Sequence, residues 1–153
     1  MYKYEFNVPM TTFLVEADFL LKMHWQELAV NKDTVFLKPD VVKYNLLQET
    51  GILHNIVVYN DLNIVVGYCV LLVQPNLHYS ESIFGHVDVI YVDPAYRKST
   101  IGARLLIAVE KLAKDLKVNV LTHHAKPNVP MIIKPLEKLG YSLYEYIYGK
   151  LVI

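Results

Sequence analysis

Residues 93–106 read DPAYRKSTIGARLL, and the expected fold of the chain follows from them. It follows an apolar strand and opens an amphipathic helix. The first backbone N–H groups of a helix have no intrahelical partner, and the helix dipole adds partial positive charge there. Arg97 and Lys98 add full charges, and Gly102 lets a ligand approach the backbone. A strand, a basic turn and a helix N-terminus in this order predict a diphosphate-binding site. An ordinary basic turn between strand and helix is the alternative.

The same residues resemble motif A of the GNAT acyltransferases, the acetyl-CoA-dependent N-acetyltransferases. The family motif is Gln/Arg-x-x-Gly-x-Gly/Ala, and Arg97–Gly102 reads RKSTIG here. Leu136–Tyr141, LEKLGY, is similar to a second family segment. Thr100 stands where the motif has its first glycine, which is acceptable if φ is helical and costly if φ is positive. Its hydroxyl is alternatively a donor to a phosphate.

The resemblance covers residues 52–148 and implies the GNAT fold, an α/β domain with a mixed sheet flanked by about four helices. It also implies acetyl-CoA as cosubstrate and an N-acetyltransferase activity toward a primary amine. In that fold two neighbouring parallel strands splay apart, and the pantetheine arm of the cofactor fills the gap. The expected domain spans the whole chain, 1–153.

The amino-acid composition restricts the class of protein and the functions it can have. The chain has 153 residues, 54% of them hydrophobic, which suits one domain with a substantial core. Fifteen basic and fifteen acidic residues cancel, and this argues against a nucleic-acid-binding protein. The single cysteine, Cys69, excludes an intrachain disulfide and is expected to be buried. We expect a cytoplasmic protein without a membrane partner; a phage protein acting in the host cytoplasm would look the same.

The hydrophobic pattern predicts the element order β, α, α, β, β, β, α, β, α, β, β. Residues 13–28 have helical spacing, with Thr11 or Thr12 as the N-cap. Asn60–Asn63, NDLN, predicts a hairpin turn between two strands. Residues 141–148 and 149–153 are predicted to pair as final strands around Gly149. The other predicted strands are 3–8, 52–59, 64–73, 84–92 and 118–123, and the other helices follow Pro39, span 101–116 and begin at Pro130.

The cofactor is expected on the turn, the following helix and the preceding strand. Backbone N–H groups of residues 97–103 are predicted to bind the diphosphate. By resemblance, main-chain groups of Ile90 and Val92 pair with the pantetheine and the acetyl carbonyl, and Asn128 contacts the pantetheine. Lys126 and Lys134 are either solvated or reach the 3′-phosphate. The full set of predicted cofactor-binding residues is Ile90, Tyr91, Val92, Arg97, Lys98, Ser99, Thr100, Ile101, Gly102, Ala103 and Asn128.

Catalysis is assigned to His86 and Asp88. Alternation along the strand puts both on one side, together with Ile90 and Val92. A histidine with a pKa near neutrality suits a general base, and a carboxylate beside it raises its basicity. Alternatively the two side chains only satisfy each other in a polar layer, or Asp88 binds the cationic amine.

The general acid is not assigned, because many family members have a tyrosine where this chain has Leu136. Tyr141, Tyr144, Tyr146 and His124 are nearby candidates, and solvent can also protonate a thiolate. His123 and His124 are poor metal ligands, since adjacent strand residues point to opposite faces, and no metal site is expected.

The acceptor is not readable from the sequence. Its pocket is expected between the first two helices, the loop 76–82 and the final strands, with Trp25, His78, Tyr79 and Glu81 as candidates. The aromatic final strands are also a candidate surface for a homodimer. The rival interpretation is a GNAT-fold protein that binds a protein partner without turnover, which Thr100 and Leu136 favour.

Overall fold

The computed structural model describes residues 1–126 and 129–152. Five strands form one sheet, and five helices surround it. The strands are β1 (Lys3–Phe6), β2 (Leu53–Tyr59), β3 (Val65–Pro75), β4 (Ile83–Val92) and β5 (Val120–His123). The helices are α1 (Met10–Glu16), α2 (Asp18–Leu28), α3 (Val41–Glu49), α4 (Ile101–Asp115) and α5 (Ile133–Lys138), with 3₁₀ turns at Pro94–Tyr96 and Pro130–Ile132.

The sheet is mixed, as predicted. Within the described residues its order is β1-β2-β3-β4-β5, and only β4 and β5 are parallel. One face packs against α1 and α2, where Phe13 and Leu20 meet β2 and β3 side chains, with α3 alongside. The other face packs against α4 through Ile101, Leu105 and Val109. Each core therefore lies between one sheet face and its own helices.

The predicted β2–β3 hairpin is confirmed, and Asn60 explains its turn. The Asn60 Oδ1 atom accepts hydrogen bonds from the N–H groups of Leu62 and Ile64, at 2.9 and 3.0 Å. Asn63 adopts a left-handed conformation with φ of 56°, which asparagine tolerates better than most residues. The turn thus sets the register between β2 and β3.

The prediction of one first helix capped by Thr11 or Thr12 is wrong. The segment forms two helices that meet at Ala17, whose backbone (φ −95°, ψ 5°) departs from helical geometry. Pro9 is the N-cap of α1, and no side chain caps it. Proline suits a helix start because it has no N–H to satisfy. The apolar pattern still marks the buried face, since Phe13, Ala17 and Leu20 are buried.

A β-bulge in β4 overturns the predicted alternation along that strand. Val87 pairs with Leu71 and Val89 pairs with Val70, so Asp88 has no partner on β3. Val87, Ile90 and Val92 consequently pack on the α4 side, whereas Val89 and Tyr91 pack on the side of α1 and α2. His86 therefore does not share a side with Ile90 and Val92.

The predicted final strands are also not formed. Residues 141–152 have no regular secondary structure. A strand is stabilised by its partner's hydrogen bonds and by side chains buried on one face. Here the large apolar residues from Leu143 to Val152 are exposed, so alternation of residue types alone did not produce strands within one chain.

Candidate active site

The turn between β4 and α4 is braced by its own side chains. The Asp93 carboxylate accepts from the Ala95 N–H at 2.8 Å and starts the 3₁₀ turn. The Ser99 hydroxyl donates to the Tyr96 carbonyl at 2.6 Å and accepts from the Ile101 N–H at 3.2 Å. These bonds place the chain so that α4 begins directly after Thr100.

The N-terminus of α4 presents two backbone donors. The first intrahelical bond runs from the Arg104 N–H to the Thr100 carbonyl at 3.0 Å. The N–H groups of Gly102 and Ala103 precede that bond, so they have no acceptor within the helix. A Cβ atom added at Gly102 would meet nothing within 4 Å. The helix end is therefore accessible to an anion.

Thr100 fits this turn without strain. Its φ is −81° and its ψ is 1°, so the β-branched side chain stays outside the left-handed region. Thr100 makes no side-chain capping bond to the helix. The departure from the family glycine is thus compatible with the motif's backbone.

The two basic residues of the turn differ in placement. Lys98 is exposed. The Arg97 guanidinium instead lies against Glu27 of α2, with two N–O distances of 2.7 and 2.6 Å. Only one of the two predicted cationic side chains is therefore free in solvent.

The second half of β4 has an open edge. Pairing between β4 and β5 runs only from Phe84–Val120 to Val87–His123 in the described part of the chain. The Asp93 N–H donates to Val66 on β3, so by strand alternation the N–H and C=O groups of Ile90 and Val92 point to the opposite edge. Arg97 Nε donates to the Val92 carbonyl at that edge, at 2.9 Å. β4 thus continues past the last residue of β5, so the polar groups of its second half are not paired with β5.

His86 lies where β4 and β5 are still paired. It is half-buried, and its Nδ1 is 2.7 Å from the Thr122 hydroxyl of β5. Thr122 Oγ1 also donates a long bond, 3.5 Å, to the Gly85 carbonyl. Leu72 of β3 pairs with His86 and packs against the core under α1 and α2. Because side chains of paired residues lie on the same face, His86 faces that side of the sheet as well.

Asp88 lies on the bulge and is exposed. Its charge acts on the Tyr44 hydroxyl of α3 and on the Cys69 thiol of β3. Burial raises the pKa of the Tyr44 hydroxyl, and the Asp88 carboxylate raises it further. No hydrogen bond joins the Asp88 carboxylate to His86 among the described residues. The alternative of a self-satisfied histidine–carboxylate pair is not what the structure forms.

Aromatic rings extend the site from His86 toward the loop 76–82. Phe84 lies 6.3 Å from the His86 ring, and Tyr79 stacks on Phe84 with centroids 6.3 Å apart and planes at 10°. Tyr79 is 63% exposed. Of the acceptor-pocket candidates, Tyr79 is therefore connected to His86, whereas the Trp25 ring lies under the Lys32 ammonium.

A polar network on α2 was not anticipated from the sequence. His24 Nδ1 is 2.6 Å from the Tyr68 hydroxyl, and the His24 ring stacks on Tyr91 at 4.5 Å. Burial, and then the Lys126 charge, lower the pKa of His24 to about 4. Lys126 itself donates to the Leu28 carbonyl at the end of α2. The only signal for this network was the helical i, i+3 spacing of His24 and Glu27.

Among the described residues, no hydrogen bond or ring contact joins Tyr141, Tyr144, Tyr146 or His124 to His86. Leu136 is buried, and Tyr144 and Tyr146 are more than two-thirds exposed. The Tyr141 ring packs edge-on against His123 at 5.0 Å, and burial, then Glu110, raise its pKa. Burial, then His124, lower the pKa of His123 to about 4. Asn128, predicted to contact the pantetheine, lies outside the described residues.

The family model that matches the chain is described as the acetyltransferase (GNAT) family, and it covers residues 18–141. The chain belongs to the GNAT family. The matched segment includes the turn between β4 and α4, the open edge of β4 and all of α2. The family expected from residues 93–106 is thereby confirmed, and the chain is an acetyltransferase.

Known relatives of this GNAT chain agree on the fold. A glucosamine 6-phosphate N-acetyltransferase from Trypanosoma brucei brucei is 22% identical over 102 residues, 66% of this chain and 67% of that protein. An aminoglycoside acetyltransferase from an uncultured soil metagenomic sample has a TM-score of 0.79 at 15% identity, covering 100% and 99% of the two chains. A ribosomal-protein-alanine N-acetyltransferase from Brucella melitensis biovar Abortus 2308 has a TM-score of 0.73 at 17% identity, covering 98% and 99%.

These similarities confirm the predicted mixed-sheet architecture. The three relatives are named for different acceptors, so the fold alone does not select one. In residues 1–126 and 129–152, no helix has the length and apolar character needed to cross a membrane.

Proposed function

We propose that this GNAT protein transfers the acetyl group of acetyl-CoA to a primary amine, on a small molecule or on a protein lysine or N-terminus. One observation carries the proposal: the open edge of β4 leads directly to the accessible N-terminus of α4. A strand edge with free polar groups suits the two amides of a pantetheine arm, and unpaired helix N–H groups suit a diphosphate.

The residues that would hold acetyl-CoA follow from this geometry. Gly102 and Ala103 offer N–H donors to the diphosphate, and Lys98 adds positive charge. Main-chain groups of Ile90 and Val92 face the edge where the pantetheine would lie. Acetyl-CoA supplies the activated acetyl thioester. Because Arg97 already donates to the Val92 carbonyl, we assign it to shaping this edge.

His86 is proposed as the general base. Thr122 donates to the Gly85 carbonyl and so accepts from His86 Nδ1–H, which leaves the lone pair on Nε2. Nε2 then takes the proton that the acceptor ammonium loses before it attacks, or that the amine loses as the new amide forms, and solvent protonates the CoA thiolate that leaves. Asp88 is exposed and makes no hydrogen bond to His86 in the described residues, so we assign it to attracting a cationic amine rather than to orienting His86.

An acetyl-transfer assay tests the proposal. We would measure thiol release from acetyl-CoA with aminoglycosides, glucosamine 6-phosphate and a lysine-containing peptide as acceptors. With the best acceptor, His86→Ala should lower kcat about 100-fold with little change in the KM of acetyl-CoA. Absence of thiol release with every amine, or a wild-type pH–rate profile in His86→Ala, would contradict the respective assignment.

We also propose that two copies associate through residues 141–152. This segment exposes Leu143, Tyr144, Tyr146 and Ile147, and β5 lies at the edge of the sheet. An unpaired strand edge next to an exposed apolar segment favours pairing with another chain.

The buried, reduced Cys69 is consistent with a cytoplasmic site of action.

A further inference from the structure

Arg97 occupies the first motif position of the turn between β4 and α4, residues 93–100, here called the diphosphate turn, yet its side chain points into the protein. Its Nη1 and Nη2 atoms donate to the two carboxylate oxygens of Glu27, at 2.7 and 2.6 Å. Its Nε donates to the Val92 carbonyl at 2.9 Å. The Arg97 side chain is only 22% exposed. Three of its five N–H bonds are therefore used inside the structure.

The acceptor of these bonds is itself fixed. The Tyr91 hydroxyl donates to Glu27 Oε2 at 2.7 Å, and the Arg97 guanidinium lies over the Tyr91 ring at 5.0 Å. Tyr91 is 4% exposed. A bidentate contact between a planar guanidinium and a carboxylate fixes the orientation of both groups better than a single hydrogen bond does. Glu27, Tyr91 and Arg97 thus form one clamp.

The clamp joins two parts of the site that are distant in sequence. Glu27 lies near the end of α2, on the helical layer that covers the His86 side of the sheet. Arg97 lies three residues before the N-cap of α4, and Val92 ends the open edge of β4. The bonds therefore fix the turn against both β4 and α2.

We propose that Glu27 is a positioning residue for acetyl-CoA, an inference that rests on the proposed function. Glu27 holds Arg97 so that the turn presents the N–H groups of Gly102 and Ala103 in a fixed arrangement. Arg97 serves the cofactor through this clamp rather than by direct contact with the diphosphate. The clamp also makes α2 part of the cofactor site, although no residue of α2 belongs to the diphosphate turn.

If Glu27 instead competed with the cofactor for Arg97, removing its charge would change the affinity for acetyl-CoA in the opposite direction. If Arg97 left Glu27 to contact the diphosphate, the carboxylate would compete with the cofactor. Removing its charge would then tighten binding. In the clamp, removing the charge loosens the turn and weakens binding. The sign of one change in affinity separates the two.

The test is the Kd of acetyl-CoA for Glu27→Gln, measured by calorimetry and accompanied by steady-state kinetics. We expect the Kd and the KM of acetyl-CoA to rise about tenfold or more, with kcat at saturation within about twofold of wild type. Asp18→Asn is the matched control, because it removes an exposed carboxylate paired with Lys22 on the same helix. It should leave the Kd unchanged.

Two further variants keep the test decisive. Tyr91→Phe removes one hydrogen bond to Glu27 without changing charge and should weaken binding in the same direction, but less. The exchanged pair Glu27→Arg with Arg97→Glu should recover part of the affinity that each single change loses.

A Glu27→Gln protein that binds acetyl-CoA as tightly as wild type, or more tightly, would overturn the clamp while leaving the proposed function intact. Wild-type protein that binds no acetyl-CoA would overturn both.

Discussion

At the scale of single residues, Thr100 and Asp88 show where local chemistry was readable and where it was not. Thr100 was expected to be acceptable only with a negative φ, and its φ of −81° meets that condition. Asp88 fits a regular alternation of polar and apolar residues, so nothing in the sequence marks it as the bulged residue. The bulge is set by pairing with β3, and a one-residue shift moves every later side chain to the other face.

Thr122 offers the sharpest test at this scale. Thr122→Val keeps the shape of the side chain and removes the partner of His86 Nδ1. Because the imidazole then loses its fixed tautomer and orientation, kcat should fall about tenfold, and the pH–rate profile should change, while the Kd of acetyl-CoA stays the same. Unchanged kcat and an unchanged profile would show that Thr122 does not orient the base.

At the scale of secondary-structure elements, α2 carries more of the site than its sequence indicated. The helix was predicted from its apolar residues, of which Leu20 is buried and Leu21 and Leu28 are partly buried against the same core. Its polar residues His24 and Glu27 meet Tyr68, Tyr91 and Arg97, which lie 44 to 70 positions away in sequence. Hydrophobic periodicity reports which face of a helix is buried, but not which polar groups it meets across the sheet.

The half-buried His24 of α2 makes stability depend on pH. The pKa of His24 is lowered from 6.5 to about 4, chiefly by burial, so the unfolded chain binds a proton that the folded chain does not. The free energy of unfolding should therefore fall as the pH drops from 6.5 toward 4. For His24 alone the loss is up to about 3 kcal/mol.

Urea denaturation of His24→Gln at neutral and acidic pH checks this expectation. The variant lacks the titrating group, so its stability should fall less steeply with acidification than that of wild type. His123, whose pKa is also about 4, titrates in the same direction and keeps some pH dependence in both proteins. Identical slopes in the two proteins would contradict the role assigned to His24.

At the scale of the whole molecule, the order of elements was predictable and the C-terminal segment was not. Strand, turn, helix and strand around residues 84–123 imply a parallel pair of strands joined by a helix, and β4–α4–β5 forms such a unit. The two final strands were predicted from aromatic and apolar residues that favour strands. Whether they form depends on a partner, which is a property of the surroundings rather than of the segment.

The exposed segment 141–152 leads to a prediction on assembly. Sedimentation equilibrium should give the mass of a dimer for wild type. The double substitution Leu143→Glu, Ile147→Glu should give a monomer, because both positions are 70% exposed and two charges there oppose burial in an interface. Val15→Glu, at a 77% exposed site on α1, is the control and should remain dimeric. A monomeric wild type would contradict the proposed association.

The central claim is that the N-terminus of α4 binds the diphosphate of acetyl-CoA, and calorimetric titration of wild type and Gly102→Glu tests it most directly. Space around Gly102 is open, so the substitution should leave the fold intact, as melting of the free protein would verify. The new carboxylate would lie where the diphosphate is expected and would repel it. Binding of acetyl-CoA and CoA by wild type, lost in Gly102→Glu, is the predicted result. Equal binding by both proteins, or no binding by wild type at millimolar acetyl-CoA, would contradict the account.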